Sequence, residues 1–123
     1  MDKYEKLLEE IIEDTKEGNL TWEIDSANYY EKVIFNSGFA ATAYSSDIVK
    51  NEKKFEIVFV EKYMPDLGGD WDGIAQKYYP ELYFLTKGGV AFILDQRYVE
   101  VDRLALLADL IKEHNSDTKL LFD

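Results

Sequence analysis

The spacing of apolar residues changes from a helical to a strand period near the beginning of the chain. Residues 2–17 place a mainly apolar set of side chains on one arc of a helix, namely Tyr4, Leu7, Leu8, Ile11, Ile12 and the polar Thr15. Gly18 then tolerates a positive φ, which is typical of a helix C-cap. Residues 20–24 alternate between apolar and polar, which predicts a half-buried strand with Trp22 and Ile24 facing the core.

Short apolar or alternating runs predict further strands at residues 39–45, 55–62, 82–86 and 90–94. Residues 50–53 have the composition of a turn. Lys87-Gly88-Gly89 separates the last two strands, and paired glycines favour the positive φ angles of a tight hairpin turn. Both hairpin strands are apolar on both faces, which favours a central place in the sheet. Residues 74–79 are expected to form a short helical turn before Pro80.

A second helix is predicted near the C-terminal end of the chain, from Asp102 as N-cap to about His114. Its core stripe consists of Leu104, Leu107, Ala108 and Ile111. Leu106 and Leu110 fall on the opposite side, which a helix lying on a sheet normally keeps polar. Either the N-terminal helix covers these two leucines or a second subunit does, so a homodimer through Leu106 and Leu110 is one hypothesis.

These elements predict a single α+β domain spanning residues 1–123. We expect a mainly antiparallel sheet of about four to six strands, with the N-terminal and C-terminal helices packed on one face. The length suits one domain, since single cores commonly span about 100–150 residues. No apolar run approaches the roughly 18–20 residues that cross a bilayer. The acidic start differs from a signal peptide, so a cytoplasmic protein is expected.

The charge and composition of the chain exclude more classes of function than any sequence motif does. The chain has 25 acidic and 14 basic residues and a formal net charge of −11. This balance repels nucleic-acid phosphates and anionic membranes, which bind clustered Lys and Arg. The absence of Cys removes thiol nucleophiles and thiolate metal sites. The one histidine, His114, ends the last helix, where the helix dipole favours a cation. We therefore expect no catalytic residue, no enzymatic activity and no cofactor.

Acidic residues near aromatic rings are the candidate binding residues. One group lies on a polar face of the first helix and comprises Glu9, Glu13 and Glu17. A second group lies in the Gly- and Asp-rich segment 65–73, a predicted exposed loop, and comprises Asp66, Asp70, Trp71 and Asp72. The chain is acidic and lacks catalytic groups, and Trp71 is of a type enriched at binding hot spots, so both groups are expected to bind a basic protein partner such as a toxin. The alternative interpretation makes Trp71 a structural anchor over the sheet edge.

Other functions fit parts of the same pattern. Asp66, Asp70 and Asp72 are candidate Ca²⁺ or Mg²⁺ ligands, because carboxylates among glycines suit hard cations. The segment departs from an EF-hand loop, since Gly68 occupies the first ligand position and Tyr79 that of the bidentate Glu. A small metal-dependent enzyme using this loop is one alternative function. A phage-derived DNA mimic or other host-modulating protein is another, and it requires acids in two rows on one contiguous surface.

The spacing Thr-x-x-Gly-x-x-x-Trp, formed by Thr15, Gly18 and Trp22, follows the first acidic helix. With the sheet and the Leu-rich closing helix, it resembles small helix-first domains of bacterial and phage genomes. The matching part covers roughly 25 residues and is structural: a helix stop, a turn and a first strand. Some such proteins are immunity proteins or small inhibitors that block a toxin with a charged face. The resemblance implies an interaction protein and no catalytic residue.

Overall fold

A computed structural model describes residues 1–24, 42–65 and 76–114 of the chain. In chain order the elements are α1 (Lys3–Glu17), β1 (Glu23–Ile24), β2 (Thr42–Lys50), β3 (Lys53–Pro65), β4 (Gln76–Thr86), β5 (Gly89–Leu94) and α2 (Val101–His114). The strands form one antiparallel sheet in the order β1-β2-β3-β4-β5. The chain thus has an N-terminal helix, then an antiparallel sheet of five strands, then a C-terminal helix, which confirms the predicted α+β class.

Helix α1 begins and ends where the sequence predicts. Asp2 is its N-cap, and the Asp2 carboxylate accepts a hydrogen bond of 2.8 Å from the amide of Glu5. Gly18 follows the last turn with a φ of +83°, which glycine adopts without the clash of a Cβ atom. The Gly18 amide donates to the carbonyls of Asp14 and Thr15, so the end of the helix is capped as predicted.

A hydrogen bond between Trp22 and Thr15 ties the segment after α1 back onto the helix. Trp22 Nε1 donates to Thr15 Oγ1 at 3.0 Å, and the Thr15 hydroxyl donates to the carbonyl of Ile11 at 2.8 Å. Both side chains are buried, so the prediction of Trp22 in the core is confirmed. Ile24 is 53% exposed, so its predicted core position is wrong, because β1 is only two residues long and lies at the edge of the described sheet.

The strands in the middle of the chain are longer than predicted. β2 continues to Lys50, whereas residues 39–41 lie outside the described part of the chain. The turn predicted at residues 50–53 is present, with Lys50 paired to Lys53. Residues 76–79 belong to β4, so the predicted helical turn is wrong there, and residues 74–75 lie outside the described part. Pairing with β3 outweighs the local pattern at this point.

Pro80 lies inside β4 at a place where a missing N–H group costs little. It pairs with Glu61 of β3 on one side. On the other side β5 pairs with β4 only from Leu82 onward. In the described part of the chain, Pro80 therefore has a neighbouring strand on a single side, which is where sheets tolerate proline.

The hairpin of β4 and β5 is present, but β5 lies at the edge of the sheet. Thr86 pairs with Gly89, whose φ of +112° suits the tight turn. The predicted central place is therefore wrong for β5 and right for β4. The hairpin is apolar on both faces for a different reason. Phe92 packs on one face of the sheet and Ile93 on the other, and both faces carry core residues.

Helix α2 contributes the predicted core stripe, of which Leu104, Leu107, Ala108 and Ile111 are all buried. The helix begins at Val101, so Asp102 lies in the first turn and is not the N-cap, a shift of the kind common at helix ends. Leu106 and Leu110 are half-buried and pack against the core, with α1 running alongside α2. The homodimer through these leucines stays a prediction. Neither α1 nor α2, the two helices in the described ranges, has the length and apolar character needed to cross a membrane.

The sheet carries a core cluster on each of its faces. The face against α1 and α2, here called the helix face, contributes Tyr44, Ile57, Phe59, Leu82, Phe84 and Leu94 to the larger core. The opposite face, here called the far face, carries a smaller cluster of Ala43, Val58, Val60 and Tyr83. These four residues are at most 7% exposed. Polar residues of the same strands flank this cluster, with Asp47 and Glu56 at one end and Lys62 and Glu81 at the other.

Candidate interaction surface

The predicted glutamate stripe of α1 divides into a paired and an unpaired part. The Arg103 guanidinium binds Glu9 through both carboxylate oxygens, with Nε 3.0 Å from Oε2, and this raises the pKa of Arg103. Glu9 thus joins α1 to α2. Glu13 and Glu17 are exposed, and no base in the described ranges lies within ion-pair distance of either.

A polar groove begins beside the C-terminal end of α1. Glu17 Oε2 accepts a hydrogen bond of 3.3 Å from Asn19 Nδ2, and Asn19 lines this groove. The groove has a volume of about 530 Å³. We call it the acidic groove, after its charged lining residues Glu23, Asp47, Glu56 and Lys54. Glu17 therefore lies beside the groove and adds a negative charge at its edge.

Strand register places the three groove acids on the far face. Ser45 of β2 pairs with Glu23 on one side and with Val58 of the far-face cluster on the other. Asp47 lies two residues further along β2 and pairs directly with Glu56 of β3. Residues paired in this way have Cβ atoms about 4.5–5.5 Å apart, and like charges there are destabilising. The fold gains nothing from this pair.

Among the described bases, Lys54 is the one that forms an ion pair with a groove acid, and this ion pair is weak. Its Nζ lies 3.9 Å from Asp47 Oδ2, with side chains that are 72% and 57% exposed. Exposed ion pairs contribute about 0–1 kcal/mol, because water screens the charges. No other base of the described residues lies within ion-pair distance of Glu23, Asp47 or Glu56. The acidic groove therefore keeps an excess of negative charge.

The other end of the far face, here called the paired end, has a different arrangement. Glu81 binds the Lys62 ammonium and accepts a hydrogen bond of 3.2 Å from the Tyr83 hydroxyl. Asp95 accepts hydrogen bonds of 3.0 Å from both the amide and the Nε of Arg97. Burial raises the pKa of Tyr83, and the negative charge of Glu81 raises it further. Each carboxylate at this end therefore has its own cation.

A larger cleft, with a volume of about 830 Å³, lies between the beginning of α1 and the segment before α2. Arg97 and Arg103 both line it, but each guanidinium is already bound by a carboxylate of the same chain. The two arginines are thus engaged within the fold, whereas Glu5, Glu100 and Asp102, which also line the cleft, have no ion pair with a described base. The acidic groove is the stronger candidate, because strand pairing there sets two carboxylates directly opposite each other.

The predicted loop residues Asp66, Asp70, Trp71 and Asp72 lie outside the described part of the chain, as do the metal-site and anchor hypotheses that depend on them. Within the described ranges, no three His, Asp or Glu side chains converge closely enough to hold a metal ion. His114 is exposed at the end of α2, as the helix pattern predicts.

Sequence reasoning missed Glu23, Asp47 and Glu56. The apolar pattern predicts this strand only as far as residue 45, so it does not place Asp47 on either face. The partner of Glu56 depends on a register that alternation alone does not give. A usable signal exists in the turn at residues 50–53. Counting back equally along both strands from that turn brings Asp47 opposite Glu56.

The chain matches no protein-family model, and no curated protein or solved structure is significantly similar to it. The resemblance to helix-first domains therefore stays a prediction. The contact between Thr15 and Trp22 gives a structural reason for the spacing that carries this resemblance.

Proposed function

We propose that the protein is a non-catalytic interaction module, of the inhibitor or immunity type, that binds a basic protein segment in the acidic groove. A single observation carries this proposal: Asp47 and Glu56 face each other directly across β2 and β3, with Glu23 in the same groove. Because like charges in this position weaken a sheet, a cation supplied from outside would relieve the repulsion.

The groove suits a lysine or arginine side chain of a partner. An arginine guanidinium donates hydrogen bonds in a fork, so it can bridge the Asp47 and Glu56 carboxylates. The exposed Glu13 and Glu17 extend the negative field along α1 and would attract further basic residues. Association steered in this way slows as salt rises, because ions screen exposed charges over about 10 Å at 0.1 M. A cytoplasmic location remains part of this proposal.

The experiment is a heteronuclear NMR titration of the full chain with an acetylated peptide of alternating arginine and glycine. The test variant is Asp47→Asn/Glu56→Gln. Its matched control is Asp109→Asn/Glu113→Gln, which removes the same charge from exposed positions of α2. We expect the largest shifts at residues 45–47 and 54–56 in the wild type. The test variant should bind about tenfold more weakly and the control variant no more than about twofold.

Two outcomes would overturn the proposal. Equal weakening by both variants would mean that the peptide senses only the overall charge, as expected of a diffuse acidic surface such as that of a DNA mimic. Shifts centred on other residues, with the groove unaffected, would place the binding surface elsewhere. Tighter binding to a peptide with lysine in place of arginine would keep the groove but remove the role of the guanidinium fork.

A further inference from the structure

A separate apolar groove lies on the helix face of the sheet, at the end where the β2–β3 and β4–β5 turns lie. It has a volume of about 380 Å³. Its apolar lining residues are Leu7, Ile48, Phe55, Phe84, Ala91 and Phe92. None of the residues lining it also lines the acidic groove, which lies on the far face. The two sites can therefore be tested independently.

The size and lining of this apolar groove suit a small molecule. Ligand pockets commonly have volumes of about 300–1,000 Å³ and are lined mainly by apolar and aromatic side chains, with a few polar groups that orient the ligand. Here the aromatic rings of Phe55, Phe84 and Phe92 are part of the lining, and the few polar lining residues come from the β2–β3 turn. An apolar ligand would remove this surface from water, which favours binding.

The charge at the rim is opposite to that of the protein as a whole. Lys50 and Lys53 both line the groove, although the chain has a net charge of −11. Lys50 is bound by Glu10, and that ammonium lowers the pKa of Glu10. Lys53 is exposed, and no carboxylate of the described residues lies within ion-pair distance of it. Its Nζ lies 5.9 Å from the centre of the Phe55 ring, close to the apolar lining.

An apolar lining beside an unpaired ammonium favours a ligand with an apolar body and one negative charge. We propose that this groove binds a small amphipathic carboxylate, with its hydrocarbon part against the phenylalanine rings and its carboxylate paired with Lys53. The strand register supports the position of the charge, because Lys53 pairs with Lys50 and both point to the helix face with Phe55. Lys54, the next residue, points to the far face.

The test uses decanoate, with decan-1-ol and decyltrimethylammonium as probes of the same chain length, each below its micelle concentration. Binding to the full chain is followed by heteronuclear NMR. Decanoate should shift the amides of residues 48, 55, 84 and 92. It should bind about tenfold more tightly than the alcohol, while the ammonium compound shifts none of these amides.

Variants separate the rim charge from the overall charge. Lys53→Gln should weaken decanoate binding about fivefold, whereas Lys54→Gln, which removes the same charge from the far face, should leave it unchanged. Ala91 is exposed and lines the groove, so Ala91→Glu should abolish binding and Ala91→Lys should preserve it.

Three results would overturn the proposal. Equal affinity for decanoate and decyltrimethylammonium would show that charge has no role. Equal effects of Lys53→Gln and Lys54→Gln would show that no specific lysine holds the carboxylate. Sedimentation of the wild type as a dimer that Ala91→Glu converts to a monomer would show that a second copy of the chain occupies the groove.

Discussion

The two polar ends of the far face contain similar charged residues, but carboxylates face cations at one end and face each other at the other. At the paired end, Lys62 binds Glu81 and Arg97 binds Asp95. In the acidic groove, Asp47 faces Glu56 directly, and the exposed Lys54 is the one described base within ion-pair distance of it. The Lys62 and Glu81 side chains are 11% and 16% exposed, against 72% and 57% for Lys54 and Asp47.

This difference distinguishes charged side chains that stabilise the fold from charged side chains that the fold only tolerates. A buried carboxylate needs a cation, because an unpaired charge out of water is costly. An exposed carboxylate is solvated and can remain unpaired at little cost. We infer that the paired end stabilises the sheet, whereas the acidic groove is available to a partner. Substitutions at the two ends should therefore change the free energy of unfolding in opposite directions.

The largest effect is expected at the paired end. Glu81→Ala removes the carboxylate from both Lys62 and the Tyr83 hydroxyl and leaves a mostly buried ammonium unpaired. We expect a loss of about 3 kcal/mol in the free energy of unfolding. Urea denaturation followed by Trp fluorescence measures it, since Trp22 is buried in the core.

The control for this prediction replaces the whole pair. Lys62→Met/Glu81→Leu leaves no unpaired charge and should recover most of the lost stability. If the double variant were as unstable as Glu81→Ala, the loss would come from packing, and the contrast between the two ends would no longer rest on charge.

The second prediction concerns Glu61, a carboxylate on the helix face whose side chain is only 5% exposed. It pairs with Lys112 of α2 at 2.8 Å and accepts a hydrogen bond of 2.7 Å from the Tyr78 hydroxyl. Lys112→Met should lower the free energy of unfolding by about 2 kcal/mol, less than Glu81→Ala because the Tyr78 bond remains. Lys112→Arg keeps the charge and should stay within about 0.5 kcal/mol of the wild type. Equal losses in both variants would contradict the assignment.

The third prediction uses the pH dependence of the paired end. Burial and the Glu81 charge raise the pKa of Tyr83 above its ordinary value near 10, so the folded state favours the neutral phenol. The resulting stability is complete below pH ~10 and is lost as pH rises further, by no more than about 1.4 kcal/mol per pH unit. Tyr83→Phe should show a shallower loss of stability between about pH 10 and 11 by urea denaturation. Parallel pH profiles would show that Tyr83 does not contribute.

The sequence predicted the parts of the fold that depend on local periodicity. The buried arc of α1, the Gly18 cap and the core stripe of α2 each follow from residues within a few turns of one another. The α+β class follows from the same local signals, since it requires only the order and type of the elements. The position of Trp22 was also predictable because it continues the apolar phase that begins after the cap.

The remainder depends on contacts between residues distant in sequence. Residues 76–79 pair with β3, and no local pattern contains that information. The apolar hairpin indicated a buried strand correctly but could not distinguish a central strand from an edge strand with both faces covered. The groove acids Glu23, Asp47 and Glu56 come from three strands, so their proximity depends on register. The composition predicts that a candidate partner is basic. The position of the groove depends on strand pairing, which composition does not contain.

The smallest expected effect tests the central claim most directly. It is the free energy of unfolding of Asp47→Asn/Glu56→Gln, measured by urea denaturation at low ionic strength. Because the substitutions remove the repulsion between two paired strands, we expect a gain of about 0.5 kcal/mol, which shrinks as salt screens the wild-type charges. A loss of stability comparable to that of Glu81→Ala would contradict the account, because the groove carboxylates would then be holding the sheet together.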